Sequence, residues 1–259
     1  MSVIVKNIKK TFILSKKQMK ISKTTSKFKV AVDGISFEAM EGEVFGLLGP
    51  NGAGKTTSLR CIATLIKPDQ GEITVNGIST TDEIKCKRQI GFLTNEIKIE
   101  EQMTPNYAIH YFGRFYNMTY EQIEQRKKEL FSVFGVDKFA EVKIGDLSTG
   151  MKQKVSIVVS LIHDPHVIIF DEPTNGLDVL TAKVVTDYLE ELAKKGKIVI
   201  ISTHIMSLAA KICDRIGIII NGKIVLNDLI TNIYQTYNSN DLEEIFFNLY
   251  KKEVGEELC

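Results

Sequence analysis

Apolar and polar positions follow two rhythms along the 259-residue chain. In the first third, short apolar runs often alternate with polar residues, which predicts strands. Residues 30–39 read as a strand broken at Gly34, and residues 72–78 alternate around an Asn76-Gly77 hairpin signal. Residues 44–48 are apolar throughout, the pattern of a strand buried on both faces. From Met103 to about Val142 the period becomes helical. Tyr107, Tyr111 and Phe115 recur every fourth residue, and Ala108 with Phe112 widens the stripe. Such a stripe faces either the core or a partner. Pro165 separates a second helical stretch from the apolar run 167–170. Residues 197–202 and 216–220 read as two more strands, with crossover helices at 182–192 and 206–213. Strands alternating with helices predict a parallel sheet covered on both faces. Residues 241–252 read as an N-capped helix.

The strand at 44–48 runs into Gly49-Pro50-Asn51-Gly52-Ala53-Gly54-Lys55-Thr56, which fits the phosphate-loop spacing G-x-x-x-x-G-K-[ST]. A helical run without a breaker until Pro68 follows. Strand, glycine loop and helix is the order the chemistry needs. Glycines let successive N–H groups turn inward around a polyphosphate, and the helix start adds partial positive charge. Lys55 can reach the β- and γ-phosphates, and the Thr56 hydroxyl can ligate Mg²⁺. A second element is the apolar run ending in Asp171-Glu172. It puts two carboxylates at the C-terminal end of a strand, where ligands bind in open α/β sheets. Asp171 is placed for Mg²⁺, and Glu172 for a general base or water-positioning role. Leu147-Ser148-Thr149-Gly150-Met151 opens a helix, an N-cap and anion site without a basic side chain. Ser202-Thr203-His204 ends the next strand, and Pro173-Thr174-Asn175-Gly176-Leu177-Asp178 is a turn leading from the carboxylates.

Composition narrows the class. With 44% hydrophobic and 25% charged residues the chain reads as soluble and globular, and a net charge of +1 gives no global field for nucleic acid. The four cysteines (Cys61, Cys86, Cys213, Cys259) share no C-x-x-C spacing, so neither a disulfide framework nor a zinc site is expected. No signal peptide and no membrane-spanning apolar run is read. Between Ile13 and Val30 lies an insert with Lys16, Lys17, Lys20, Lys23, Lys27 and Lys29. Without an amphipathic period it reads first as a solvated loop or hairpin tip. Attraction to anionic lipid is the sharper reading of the same charge.

Taken in order, the phosphate loop, Leu-Ser-x-Gly, apolar-Asp-Glu-Pro-Thr, Asn-Gly-Leu-Asp and Ser-Thr-His resemble the ATP-binding cassette (ABC) ATPases over roughly residues 3–225, with Leu147 lying 24 residues before Asp171 as in that family. The resemblance implies an α/β fold: a P-loop NTPase (RecA-like) core with a parallel sheet, an antiparallel β subdomain and an inserted α-helical subdomain at about 97–163. The ATPase domain would span 1–235, and 236–259 would form a short helical tail. It implies that residues 49–57, through Thr57, bind ATP phosphates, and that Thr56, Asp171 and Asn95 serve Mg²⁺. Glu172 would be the catalytic base, His204 the switch histidine, Asp178 part of the D-loop, and Ser148 with Gly150 the signature contact to a second subunit's ATP. Phe12 matches the aromatic that stacks on adenine, with Phe28 as fallback. Two departures stand out. The signature ends Thr-Gly-Met rather than Gly-Gly-Gln, and Asn95 occupies the position of the usual Q-loop glutamine. The finer pattern is most similar to bacterial sodium-exporting subunits. The implied function is ATP hydrolysis in a head-to-tail homo- or heterodimer that drives a separate membrane permease, at the cytoplasmic face of the membrane, with no nucleic-acid partner. A soluble ABC ATPase of iron–sulfur assembly, translation or repair is the alternative.

Overall fold

The computed structural model describes residues 1–21, 24–94 and 99–255. The chain opens with β1 (Ser2–Ile13), a short α1 (Lys16–Ile21), β2 (Phe28–Met40), β3 (Val44–Leu48) and α2 (Lys55–Ile62). There follow β4 (Gln70–Val75), β5 (Ile78–Ser79), α3 (Glu83–Gln89) and β6 (Ile90–Leu93). Three longer helices come next: α4 (Pro105–Phe115), α5 (Tyr120–Phe134) and α6 (Thr149–Leu161). The last third runs β7 (Val167–Asp171), α7 (Val179–Lys194), β8 (Ile198–Thr203), α8 (Met206–Ile212), β9 (Arg215–Ile220), β10 (Lys223–Leu229), α9 (Ile230–Tyr237) and α10 (Leu242–Val254).

Two sheets result. The first is antiparallel, in the order β2-β1-β4-β5. Its β1–β2 hairpin pairs from Ser2↔Met40 to Ile13↔Phe28, so the lysine-rich insert begins and ends at a hairpin tip, as expected. β2 runs unbroken through Gly34, because glycine takes φ +77° there, next to the register shifts against β1. Asn76 and Gly77 both have positive φ, the backbone a two-residue hairpin turn requires. The second sheet has the order β10-β9-β3-β8-β7-β6 and is parallel except at the β10 edge.

Alternate residues of the central strands divide between two cores, which explains their uninterrupted apolar runs. Val167, Ile169, Ile198 and Ile200 pack toward α2 and the antiparallel sheet. Ile168, Phe170, Val199 and Ile201 pack toward α4–α7, α8 and α10. The last helix joins that second core through Leu242, Ile245 and Phe246 and is capped by Asp241, which accepts from Glu243 N–H.

The structure refines the sequence reading at three places. The helical region 103–142 is two helices, interrupted where Asn117 takes φ +57° and Thr119 starts a capping box with Gln122. Its aromatic stripe is exposed: Ala108, Ile109 and Gly113 form the buried face of α4, whereas Tyr107, Tyr111 and Phe115 face outward. Finally, β10 and α9 occupy a stretch where no element is predicted.

Candidate functional site

The C-terminal ends of β3, β7 and β8 lie side by side, in parallel register. Three sequence motifs therefore emerge together at one crest of the sheet. The phosphate loop leaves β3 at Gly49, whose N–H donates to Thr203 O at 3.3 Å. A Cβ on Gly49 would come within 2.2 Å of Ile219 O, and one on Gly54 within 2.3 Å of Ala31 O, so both glycines are needed for close backbone approach. Gly52, at φ +82°, has nothing within 4 Å of a Cβ and borders open space. Gly54 caps α2, and Ala53 closes the turn by donating to Pro50 O at 3.2 Å. Lys55 is 5% exposed, and its Nζ donates to Gly49 O at 2.7 Å and Pro50 O at 3.2 Å. Burial pulls the Lys55 pKa below the ordinary lysine value, while the Glu172 and Asp171 carboxylates oppose that shift.

Glu172 sits opposite, with Oε1 at 3.5 Å from Lys55 Nζ and His204 Nδ1 at 3.0 Å from both carboxylate oxygens. Its backbone is left-handed, at φ +55°. That conformation costs a non-glycine residue on the order of 1–3 kcal/mol and persists only where neighbours fix it. Here the Glu172 N–H donates to both the carbonyl and the hydroxyl oxygen of Ser202, each at 3.1 Å. The Ser202 hydroxyl in turn donates to Asp171 Oδ1. Ser202 thus holds the Asp171 carboxylate and the Glu172 backbone. The Ser-Thr-His run points to it by sequence, but only the β7–β8 register reveals its partners.

A cavity of about 250 Å³ opens between these groups, lined by Phe12, Lys29, Ala31, Asn51, Gly52, Gly54, Lys55, Thr56, Thr57 and Glu172. Phe12 thus lines the same cavity as Glu172 and is in cross-strand register with Lys29. Phe28, one position along the strand, is absent from the lining. Lys10 Nζ lies 5.8 Å from the Phe12 ring centroid and is itself held by Asp69 at 2.7 Å. An aromatic platform, a glycine cradle with a buried ammonium and a pair of carboxylates can hold base, polyphosphate and attacking water in that order. No cluster of three or more His, Cys, Asp or Glu side chains among the described residues would hold a metal by itself. Thr56 and Asp171 offer hard oxygen donors of the kind that Mg²⁺ takes.

Three predicted residues lie apart from this cavity. Ser148 caps α6 by accepting from Met151 N–H at 3.4 Å, and Gly150 follows in the first turn with nothing within 4 Å of a Cβ. Neither lines the phosphate-loop cavity. Asp178 caps α7, accepting from the Thr181 hydroxyl at 2.6 Å and from the N–H groups of Leu180 and Thr181 at 3.0 Å. The Thr181 hydroxyl and these N–H groups hold its carboxyl below the usual range. Asn95 lies outside the described residues. Immediately before it, Thr94 lines a groove of about 620 Å³ with Leu65, Phe92, Phe112, Tyr116 and His163. There Tyr116 stacks on His163 with ring centroids 3.7 Å apart.

Fold and cavity together define a P-loop nucleotide-binding α/β protein, and comparison with known proteins gives its family. Residues 32–175 match the ABC transporter family. The chain is 38% identical over 220 residues to the ABC transporter ATP-binding protein NatA of Bacillus subtilis, spanning 84% of this chain and 89% of that one. It is 35% identical over 196 residues to the Nod factor export ATP-binding protein I of Burkholderia lata, spanning 75% and 64%. A solved dimeric structure of an ATP-binding cassette, in a post-hydrolysis state bound to ADP and Pi, matches with a TM-score of 0.76 at 27% identity, covering 88% of this chain and 98% of that chain. The chain belongs to the ABC transporter family, as an ATP-binding subunit that hydrolyses ATP.

Proposed function

We propose that two cassettes pair head to tail, each ATP held between the phosphate loop of one and the 147–151 segment of the other, and that hydrolysis drives export through a separate membrane permease. The observation that carries this reading is the separation just described. Lys55, Glu172 and Phe12 share one cavity, while the Ser148 cap of α6 lies outside it and is exposed. A helix N-terminus with an unhindered glycine is an anion site still waiting for its phosphate. The partner is a homo- or heterodimer mate, and the cassette is peripheral to the cytoplasmic face of the membrane. No helix among the described residues is long and apolar enough to cross a membrane.

In this scheme Phe12 stacks on the base, and the N–H groups of residues 51–56 and the Lys55 ammonium bind the phosphates. Thr56 and Asp171, and by the family resemblance Asn95, would hold Mg²⁺, which would supply charge neutralisation for the phosphates. Glu172 orients the attacking water and takes its proton as the oxygen adds to the γ-phosphorus and the bond to ADP breaks. His204, bonded to Glu172 through Nδ1, would turn its one imidazole N–H to the γ-phosphate when ATP is bound and so sense its loss. The Thr94 groove suits a short helix of the permease. Its exposed Leu65 and partly buried Phe112 offer apolar contact there. Export is favoured by the relative named for Nod factor export. Sodium ions are the candidate cargo, through the similarity to sodium-exporting subunits. Purification of the tagged cassette from membranes tests the reading. A polytopic membrane protein should copurify and raise ATP turnover, and its absence from an active, dimeric preparation would refute the transport role.

A further inference from the structure

The hairpin tip formed by β1 and β2 carries charge that no acidic side chain among the described residues pairs. The first 32 residues contain nine lysines and no acidic side chain, whereas the rest of the chain holds 24 basic against 32 acidic side chains. Nearer the sheet, Lys9 pairs with Asp33 at 3.1 Å and Lys10 with Asp69 at 2.7 Å. At the tip, Lys16, Lys17, Lys20 and Lys27 make no ion pair among the described residues. Large apolar side chains share this tip. Ile13 and Phe28 are cross-strand partners, 77% and 62% exposed, and Ile21 at the end of α1 is 72% exposed. Unpaired cations beside exposed aliphatic and aromatic groups form an amphipathic surface that water alone does not favour.

We propose that this tip docks on an anionic lipid surface, with the lysines among the headgroup phosphates and Ile13, Ile21 and Phe28 at the boundary with the acyl chains. Charge complementarity selects the occupant. Each lysine near such a surface strengthens partitioning by about fivefold, independent of any fixed geometry. The side chains present match that diffuse target. No arginine precedes Arg60. Guanidinium forks are favoured for paired recognition of single phosphates, whereas ammonium groups act as point charges. Ile13 and Ile21 cannot stack on bases, but they insert well at an interfacial boundary. Phe12 and Lys29 belong to the nucleotide cavity and are not part of this surface. Docking of the tip would hold the cassette at the bilayer without relying on the permease.

Cosedimentation of the full chain with phosphatidylcholine vesicles, with and without phosphatidylglycerol, tests this. The wild-type chain should bind only the phosphatidylglycerol vesicles and should be released by high salt. The triple variant Lys16→Glu, Lys17→Glu, Lys20→Glu should partition at least about a hundredfold less. Its melting temperature and ATP turnover should match the wild type, which separates lost docking from misfolding. Ile21→Ser should weaken binding while keeping the salt dependence. Equal binding by the triple variant, or no wild-type binding to anionic vesicles, overturns the proposal. Retention on single-stranded DNA or an acidic protein without retention on vesicles does the same.

Discussion

Two helix N-termini in this molecule are built for anions, and they are finished to different degrees. At α2 the cap is Gly54, and Lys55 is buried beneath it, faced by Glu172 and reached by His204 through that carboxylate. At α6 the cap is Ser148, Gly150 follows, and both remain outside any cavity shared with Lys55. Both ends expose backbone N–H groups and the positive end of a helix dipole. Only the first is supplied with a cation, a base and a place for the nucleotide. In the proposed head-to-tail pair, half of the catalytic site would be a property of one chain and the other half a surface.

The largest effect belongs to the finished end. Lys55→Ala removes the buried ammonium, so ATP binding should weaken and steady-state hydrolysis should vanish. Turnover of the assembled complex within about twofold of wild type would show that the cavity is not the hydrolytic site.

His204→Ala comes next. The histidine is 45% exposed at its side chain and, among the described residues, its ring bonds only to Glu172, so its loss should leave melting and ATP binding nearly intact. Hydrolysis should fall by about tenfold to a thousandfold, the range for a lost transition-state contact. A lower melting temperature with unchanged turnover per folded chain would make His204 a structural residue instead.

Phe12→Ala sharpens the comparison at the adenine end. Loss of a stacking platform worth roughly 1–3 kcal/mol should raise KM for ATP with kcat nearly unchanged. Phe28→Ala should leave KM alone, because Phe28 does not line the cavity. Equal KM shifts would reverse the assignment.

The smallest effect concerns His163, which lies in the groove rather than at either helix end. Burial pushes its pKa down to about 4, and Nε2 lies 3.2 Å from Ile90 O. Below its ordinary value near 6.5 the unfolded chain takes up a proton that the folded chain refuses. Its contribution to stability is therefore complete above that pH and is lost as pH falls toward about 4. His163→Gln should flatten the loss of stability in that window, measured by urea unfolding. An unchanged pH slope would show that His163 does not titrate as its burial dictates.

Much of this was legible from the chain because burial on both faces leaves an unmistakable pattern. β3, β7, β8 and β9 are unbroken apolar runs, and the site motifs sit at three of their ends. The rest depended on information that periodicity does not carry. β10 is an edge strand with a mixed, half-buried sequence, so neither alternation nor a continuous apolar run marks it. The stripe Tyr107, Tyr111, Phe115 is visible as a helical face, but periodicity cannot say whether that face is covered. Phe12 and Phe28 could be separated only by register, since they fall on neighbouring positions of a hairpin containing bulges. Ser202 acts on Asp171 and Glu172 across a strand pair, a contact set by sheet order. Asp178, named by its motif, acts within this chain as the cap of α7.

The central claim is that the Ser148 end of one chain completes the Lys55 cavity of another. Glu172→Gln keeps the shape of the site and removes the base, so ATP should bind and remain. Static light scattering of this variant with ATP and Mg²⁺ measures the consequence directly. Trapped ATP should favour the dimer by mass action, at twice the 29.1 kDa mass of one chain. Adding Ser148→Arg to the same chain should return it to a monomer that still binds ATP. A Glu172→Gln chain that binds ATP and stays monomeric, or a dimer indifferent to Ser148→Arg, would contradict a site shared between two chains.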